Sequence, residues 1–163
     1  MGQLDGKIAI ITGASTGIGK GIAFAYGAEG ATLVLASRNK ENLLKLDDEL
    51  RADGFASLVI PTDVSIEVDV INLFSRTMKE FGEVDILVNN AGIFDGGPLD
   101  KISLATWQKV IDVNLTGAFL CSREAMKIMK KQRYGRIINI GSISAQTPRL
   151  NDAAYATSKH ALV

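Results

Sequence analysis

Five short runs of β-branched and other apolar residues alternate with longer segments in which apolar residues recur at helical spacing. Each run is nearly continuous in Ile, Val, Leu and Ala, which is typical of a strand buried on both faces. Because strands and helices alternate strictly, with short connections, we expect parallel strands joined by right-handed crossovers. The alternation therefore predicts a doubly wound α/β domain, a three-layer αβα arrangement around a parallel sheet. The predicted strands are residues 7–12, 32–36, 57–61, 85–89 and 136–141.

Capping signals mark the ends of the helical segments. Gly30, Gly54 and Gly82 each follow a helical run, at the position where a residue in the left-handed conformation ends a helix. Ser65 and Ser103 are predicted to be the N-caps of the helices that follow them. The predicted helices are residues 17–29, 40–52, 66–81 and 103–131, with a last helix that begins near residue 152.

The composition is that of one ordinary domain of 163 residues, with 18 basic and 18 acidic side chains. A formal net charge of zero gives no overall electrostatic reason to expect a nucleic acid or an anionic membrane as partner. The apolar runs are far shorter than the roughly 20 residues that span a bilayer, and the first residues carry no targeting signal. One cysteine and one histidine cannot form a structural zinc site. These features predict a cytoplasmic protein without a metal.

The loop after the first predicted strand is rich in glycine and leads directly into a helix. It reads G-x-x-x-G-x-G, a spacing that differs from the common dinucleotide fingerprint G-x-G-x-x-G. Glycines permit a tight turn and a close approach to phosphate, and the start of the helix offers unpaired N–H groups to an anion. This context favours a phosphate-binding loop over an ordinary turn. The predicted cofactor contacts in the loop are Gly13, Ser15, Thr16, Gly17, Ile18 and Gly19.

The end of the second predicted strand bears on the choice of dinucleotide. Folds that prefer NAD usually place an acidic residue here, where it accepts a hydrogen bond from the ribose 2′-hydroxyl. This chain has the uncharged Ser37 at that point, and the neighbouring Arg38 could bind a 2′-phosphate as a forked donor. NADP(H) is therefore favoured over NAD(H). The alternative is that Arg38 is a solvated arginine at the start of a helix.

Tyr155 and Lys159 lie four residues apart in the last predicted helix, so both side chains lie on one face of it. A phenol is a weak acid–base catalyst at neutral pH unless its phenolate is stabilised, and a lysine ammonium one turn away provides that stabilisation. The pattern Y-x-x-x-K is common on its own. Here it follows the fifth predicted strand, at the same sheet edge as the glycine-rich loop, and this position favours a catalytic pair.

Taken together, these motifs resemble the short-chain dehydrogenase/reductase family, in its main group of NAD(P)(H)-dependent oxidoreductases. The resemblance covers the whole chain, and the motifs stand in the family's order and spacing. Within that group the chain is similar to the bacterial ketoacyl reductases and glucose dehydrogenases. A Rossmann-like fold is therefore expected. The residues that carry the resemblance are the glycine-rich loop, the segment Asn89-Asn90-Ala91-Gly92, Asn114, Ser142, Tyr155 and Lys159.

The resemblance implies roles for the catalytic residues. Tyr155 would be the general acid in carbonyl reduction and the base in alcohol oxidation, with Lys159 supporting it and holding the nicotinamide ribose. Ser142 would hydrogen-bond the substrate oxygen, with Ser144 as the fallback. Asn114 would hold a water in a proton relay behind the lysine, and the alternative is that its side chain bonds a neighbouring backbone group.

The resemblance also implies cofactor contacts after the third and fourth strands. Asp63 and Val64 would meet the adenine, and the segment Asn90, Ala91 and Gly92 would line the adenosine ribose region. Asn89 is expected to tie neighbouring strands together. The implied partners are a small carbonyl or alcohol substrate and, for the full-length protein, further copies in a dimer or tetramer.

Two other readings stay open. One is the nucleotide-sugar epimerase branch, which shares Y-x-x-x-K but usually has the spacing G-x-x-G-x-x-G. The other is a cofactor-binding or interaction fragment without catalysis, because members of the main group continue beyond the equivalent of residue 163 with further strands and a substrate-covering segment. On that reading the domain 1–163 is truncated, its fifth strand is an unpaired edge, and it binds NADPH weakly and is nearly inactive.

Three other residues are expected to serve packing or surface roles. His160 faces away from Lys159 on the last helix, and a lone histidine is more often a surface or packing residue than a catalyst. Cys121 lies in a helical apolar stripe and is expected in the core. Trp107 belongs to a similar stripe, whose alternative role is a subunit contact.

Overall fold

The structure is a computed structural model that describes residues 2–162 and follows the predicted order of elements. Its strands are β1 (Ile8–Thr12), β2 (Thr32–Ser37), β3 (Ser57–Pro61), β4 (Ile86–Asn89) and β5 (Arg136–Asn139). Its α-helices within the described range are α1 (Gly17–Ala28), α2 (Lys40–Ala52), α3 (Glu67–Phe81), α4 (Leu104–Ile111), α5 (Gly117–Gln132) and α6 (Ala153–Leu162).

The strands form one parallel sheet in the order β3-β2-β1-β4-β5. β1 is central, and its Ile10 aligns with Val34 of β2 and Leu87 of β4. The strand order reverses between β1 and β4, so the loops that follow these two strands diverge and open a crevice at the carboxyl edge. Ligands of open α/β sheets bind at such a crevice. The doubly wound fold predicted from the alternation is confirmed.

Hydrophobic clusters cover both faces of the sheet. Alternate residues of a strand point to opposite faces, so Ile10 packs in one cluster with Leu73 of α3 and Cys121 of α5. Ile11 packs in the other cluster, with Leu46 of α2. These helices on both faces complete the three layers.

The prediction that every strand is buried on both faces is wrong for β5. In this strand Arg136 and Asn139 are exposed, and Ile138 is 38% exposed. The physical reason is position, because β5 is the outermost strand and pairs only with β4. The expectation that the fifth strand is a sheet edge is confirmed for the described residues.

The predicted single helix over residues 103–131 is interrupted. α4 ends at Ile111, a π-helical segment (Asp112–Thr116) follows, and α5 continues from Gly117. At this point the Asn114 side chain bonds the backbone of Ile93, and Gly117 lies against Val64, where a Cβ would come within 2.7 Å of Cγ2. Apolar periodicity does not register such an insertion, and π-helical turns occur frequently at functional sites.

The capping predictions are confirmed except at one position. Ser103 caps α4, where its Oγ accepts a hydrogen bond from the Thr106 N–H at 3.0 Å. Gly30, Gly54 and Gly82 all have positive φ, as their place after a helix requires. Ser65 does not cap α3, because its N–H and hydroxyl both donate to Asp63 and the helix begins later, at Glu67.

The core position predicted for Cys121 is confirmed, and it has a chemical consequence. Burial, with a contribution from the charge of Glu124, raises the pKa of the Cys121 thiol to about 12. An ordinary thiol ionises near pH ~8.5, and only the thiolate reacts rapidly with alkylating agents. We therefore expect iodoacetamide at pH 8.5 to label the folded chain far more slowly than the chain in urea. Because the sequence has one cysteine, total label reports this residue alone.

The same shift makes stability depend on pH. Between the unfolded and folded pKa values the native state retains a proton that the unfolded state has lost, so stability falls as the pH rises above ~8.5. We expect urea unfolding of the natural chain to lose more stability between pH 8 and pH 10 than that of the Cys121→Ala variant. Parallel pH profiles for the two chains would contradict the buried thiol.

Candidate active site

Two cavities lie at the carboxyl edge of the sheet. The first, of about 400 Å³, runs from the glycine-rich loop past the ends of β2, β3 and β4. Most of the predicted cofactor contacts line it, and those that do not are Gly17, Gly19, Tyr155 and Lys159. The predicted residues that line the first cavity are Gly13, Ser15, Thr16, Ile18, Ser37, Arg38, Asp63, Val64, Asn90, Ala91 and Gly92.

The glycine-rich loop has a backbone that only glycine adopts readily. Gly13 and Gly17 have φ values of +63° and +56°. Gly19 has no room for a side chain, since a Cβ would lie 2.3 Å from the Gly13 carbonyl oxygen. Thr16, the N-cap of α1, makes no side-chain hydrogen bond to the helix. The first N–H groups of α1 therefore lack a side-chain cap, which suits the binding of an anion.

Asn90 fixes the glycine-rich loop to β4. Its Nδ2 donates to the carbonyl oxygens of Thr12 and Gly13, each at 3.0 Å. The Thr12 hydroxyl donates to Val88 and accepts from the N–H groups of Asn90 and Ala91. These bonds hold the ends of β1 and β4 in fixed positions, so the floor of the first cavity is built into the sheet.

The ends of β2 and β3 supply the far wall of the first cavity. Ser37 has a buried hydroxyl with no hydrogen-bond partner among the described residues. Arg38 is exposed and lines the cavity beside it. After β3, Asp63 accepts both bonds from Ser65 and lies next to the buried Val64. This end of the cavity carries a cation and a hydroxyl but no carboxylate at the tip of β2.

The second cavity, of about 290 Å³, contains the phenol of Tyr155. The Tyr155 ring meets Phe94 edge to face, with ring centroids 5.5 Å apart. Ser142 and Ser144 line the same cavity, from the short 3₁₀ turn (Ile143–Ala145) that follows β5. The Ser142 hydroxyl accepts from the Ser144 N–H at 3.1 Å, which leaves its own proton available to a ligand.

Lys159 lies beneath Tyr155 and is only 4% exposed. Its Nζ is 5.9 Å from the centroid of the Tyr155 ring and donates to the Ile140 carbonyl oxygen at 2.7 Å. Burial lowers the pKa of Lys159, because the ammonium is costly to remove from water. Two of its three N–H donors remain for other partners.

Asn114 is buried to 1% exposure in the π-helical segment. Its Oδ1 accepts from the Ile93 N–H at 2.8 Å, and its Nδ2 donates to the Ile93 carbonyl and to the Ser158 hydroxyl. The structure thus places the side chain in the arrangement of the alternative interpretation, with its amide bonded to neighbouring groups. It joins the loop after β4 to α6, the helix that carries Tyr155 and Lys159.

Gly92 lies between the first cavity and Lys159. It lines the first cavity, and a Cβ built on it would lie 3.7 Å from Lys159 Nζ and 3.5 Å from Asn114 Oδ1. A ligand that fills the first cavity as far as Gly92 therefore ends beside the catalytic pair predicted from the sequence.

Comparison with known proteins accounts for this arrangement. A family model described as short chain dehydrogenase matches residues 7–163. The chain belongs to the short-chain dehydrogenase family. The chain is 39% identical over 160 residues to the 2,3-dihydro-2,3-dihydroxybenzoate dehydrogenase of Bacillus subtilis (strain 168), covering 98% of the chain. The uncharacterized oxidoreductase YxjF of the same organism is 36% identical over 157 residues, covering 96% of the chain. The chain spans 61% of the length of each of these two relatives.

For this member of the short-chain dehydrogenase family, sequence reasoning assigned no site role to three of the residues that line the second cavity, and it assigned His160 a surface or packing role. Phe94, Arg149 and Asp152 line that cavity, and His160 bonds the carbonyl of Ala145 at 2.6 Å, so the histidine holds the turn that carries Ser142. His160 is exposed, in line with the surface role expected of it, but its ring also supports the site. Phe94 and Arg149 lie in irregular Gly- and Pro-rich loops, where periodicity carries no signal. Their position after strands β4 and β5 is the signal that could have found them.

Residues 2–162 contain neither a candidate metal site nor a candidate membrane-spanning helix. Within residues 2–162, no group of three or more His, Cys, Asp or Glu side chains is placed to hold a metal ion. Over the same residues, none of the helices combines the length and the apolar character needed to cross a membrane.

Proposed function

We propose that this chain carries the cofactor site and the acid–base residues of an NADP(H)-dependent oxidoreductase. The reaction moves a hydride between the nicotinamide and a carbonyl or secondary alcohol. The observation that carries the proposal is the position of Gly92, which lines the first cavity and on which an added Cβ would lie 3.7 Å from Lys159 Nζ. Membership of the short-chain dehydrogenase family supports it, because that family implies a nicotinamide cofactor.

The residues of the first cavity fit a dinucleotide. The glycine-rich loop is too tight for side chains at Gly13 and Gly19, as expected where a backbone must approach a pyrophosphate. The buried Ser37 hydroxyl has no partner among the described residues, and a ribose hydroxyl would satisfy it. The pyrophosphate would contact the residues from Gly13 to Gly19. The adenosine ribose would contact Ser37 and Arg38, the adenine Asp63 and Val64, and the ribose region Asn90, Ala91 and Gly92. The nicotinamide ribose would contact Tyr155 and Lys159.

In this proposal Tyr155 is the acid–base catalyst. When bound, the nicotinamide supplies the hydride in reduction and accepts it in oxidation. As a carbonyl is reduced, the Tyr155 hydroxyl gives its proton to the oxygen that becomes the alcohol; in oxidation the phenolate takes that proton back. Ser142 donates a hydrogen bond to the same oxygen and fixes its position. Lys159 stabilises the phenolate by its charge.

Asn114 is proposed to position Tyr155 and Lys159 through its hydrogen bonds to neighbouring groups. Its side chain joins Ile93 to Ser158 and so fixes α6 against the loop after β4. A water held near Lys159 as part of a proton relay belongs to the same proposal. Asn114 Oδ1 accepts one hydrogen bond, from the Ile93 N–H, and its second lone pair can accept from such a water.

We expect Arg38→Asp to reverse the cofactor preference. Arg38 is the charged donor at the tip of β2, and a 2′-phosphate would bond it, whereas an aspartate would repel the phosphate and accept from a 2′-hydroxyl. The dissociation constant for NADPH should rise by about 10-fold or more, and that for NADH should stay the same or fall. Fluorescence titration of the two reduced cofactors measures both values. An unchanged preference would place the 2′-phosphate site elsewhere.

The test of the proposed activity is NADPH consumption by the full chain with a panel of small ketones and aldehydes. Oxidation of NADPH with at least one carbonyl is expected. Tight NADPH binding without turnover of any carbonyl would instead favour a binding role. The nucleotide-sugar epimerase alternative predicts activity on a nucleotide sugar with no net consumption of cofactor.

The proposal includes a homo-oligomer and a cytoplasmic location. Phe119 and Met126 of α5 are exposed by 59% and 42%, and apolar side chains on one helix suit contact with another subunit. The absence of net charge is compatible with a small-molecule substrate and gives no reason to expect nucleic acid as partner.

A further inference from the structure

We propose that Arg149 binds an anionic group of the substrate. The substrate class is then a secondary alcohol or ketone on a single six-membered ring that carries a carboxylate. This inference rests on the proposed oxidoreductase function and goes beyond it by naming what the second cavity recognises. The side chains that line the second cavity support it, and so does the lack of an ion-pair partner for the Arg149 guanidinium among the described residues.

The walls of the second cavity combine apolar surface with few polar groups. Its apolar lining residues are Phe94, Ile143 and Leu150, and the hydroxyl-bearing residues Ser142, Ser144 and Tyr155 line the same cavity. Arg149 is the only cation among the described residues that line the cavity. A pocket of this kind binds an apolar body and orients it through a small number of polar contacts.

The guanidinium of Arg149 has no partner of its own. Among residues 2–162 it makes no ion pair and no side-chain hydrogen bond, whereas Arg51 and Arg123 are both paired with carboxylates. Two carboxylates of these loops are each bonded through one oxygen, and neither bonds the Arg149 guanidinium, while Asp152 Oδ2 is buried without a partner among the described residues. Asp152 uses Oδ1 to accept from the Arg149 backbone N–H at 3.2 Å, and Asp95 pairs with Lys109 at 3.2 Å. The positive charge at the cavity is therefore available to a ligand.

The backbone on which Arg149 stands is held in place. Asp152 is 2% exposed and closes the turn at Arg149, immediately before α6. Asn151, with φ of +66°, accepts from the Gly97 N–H at 3.0 Å and so ties this turn to the loop that carries Phe94. The two walls of the second cavity are thus joined. A cation on an anchored turn loses less conformational freedom when it binds than one on a mobile loop.

The size and shape of the cavity limit the substrate. About 290 Å³ lies at the lower end of the volumes of small-molecule sites, which run from roughly 300 to 1,000 Å³. The edge-to-face rings of Phe94 and Tyr155 form an angled aromatic corner against which one six-membered ring can pack. An arginine binds a carboxylate through two parallel hydrogen bonds, so it fixes the orientation of such a ring as well as its charge. The reacting carbon would then face Tyr155 and Ser142.

The experiment compares a carboxylate with its neutral amide in the full chain. The substrates are 3-hydroxycyclohexane-1-carboxylate and 3-hydroxycyclohexane-1-carboxamide, each with NADP⁺. We expect kcat/KM to favour the carboxylate by about 10- to 100-fold, through KM, since a charged hydrogen bond adds this much. Arg149→Gln should abolish the preference, and Arg149→Lys should restore part of it. The control is Arg76→Gln, which removes an exposed arginine of α3 and should retain the preference.

A binding experiment separates this inference from the proposed function. Benzoate and benzamide cannot be oxidised at a secondary alcohol, and their binding to the full chain is measured by NMR titration. Benzoate should bind more tightly than benzamide to the natural chain and to Arg76→Gln, but not to Arg149→Gln. If no alcohol is turned over but this difference in binding is found, the oxidoreductase proposal fails and the anion site stands. Equal binding of benzoate and benzamide to the natural chain, or a benzoate affinity that Arg149→Gln leaves unchanged, would overturn the inference.

Discussion

Gly19→Ala is expected to weaken NADPH binding by about 10- to 100-fold, while Gly21→Ala, two residues further along the same helix, leaves it unchanged. A Cβ on Gly19 would lie 2.3 Å from the Gly13 carbonyl oxygen and 2.6 Å from Asn90 Nδ2. Both neighbours are fixed, because Asn90 bonds the carbonyls of Thr12 and Gly13. The loop must therefore shift away from the position that the proposed pyrophosphate site requires.

Gly21 is the matched control because a Cβ there meets nothing within 4 Å. In the interior of α1 an alanine is favoured over glycine by about 1 kcal/mol, so Gly21→Ala should stabilise the chain slightly. Calorimetric titration with NADPH gives both dissociation constants, and thermal unfolding shows whether Gly19→Ala is still folded at the temperature used. If Gly19→Ala were folded and bound NADPH as tightly as Gly21→Ala, the glycine-rich loop would not be the pyrophosphate site.

The sheet and its ligand edge could be predicted from the sequence because both depend on local patterns. Apolar runs such as β1 and β2 are long enough to identify a strand, and the glycine spacing after β1 marks a turn into a helix. The position of β5 at the edge could not be read from its own residues. Its Ile137 and Ile138 resemble those of a buried strand, and their exposure depends on which strands pair beside them.

The interruption of the helix at Asn114 and the second cavity depend on contacts between distant segments. Asn114 reaches Ile93, which lies 21 residues earlier in the chain, and only the folded arrangement brings them together. Arg149 likewise becomes significant only when Asn151 is placed against Gly97. Sequence reasoning predicts acid–base roles for Tyr155 and Lys159 from a fixed spacing, but it has no spacing rule for the loops that line the second cavity.

Tyr155→Phe is expected to reduce kcat for carbonyl reduction by about 10²- to 10⁴-fold, the range of a positioned acid–base group. The substitution removes only the hydroxyl. The ring remains to pack edge to face against Phe94 at 5.5 Å, so the shape of the second cavity is kept. Because the loss is in proton transfer, it should appear in kcat, with NADPH still bound. The measurement is NADPH oxidation under single-turnover conditions with a carbonyl that the natural chain reduces.

Tyr134→Phe provides the same chemical change outside the site. Tyr134 is 42% exposed just before β5, where its ring lies 4.3 Å from Lys7 Nζ, and it lines neither of the two cavities. Its loss of a hydroxyl should leave kcat unchanged, which separates the role of the Tyr155 phenol from any general effect of removing a tyrosine hydroxyl. Retention of more than about a tenth of kcat in Tyr155→Phe would mean that the proton comes from elsewhere. In that case Ser142 and then Ser144, whose hydroxyls are the other donors among the residues lining the second cavity, would be the residues to replace next.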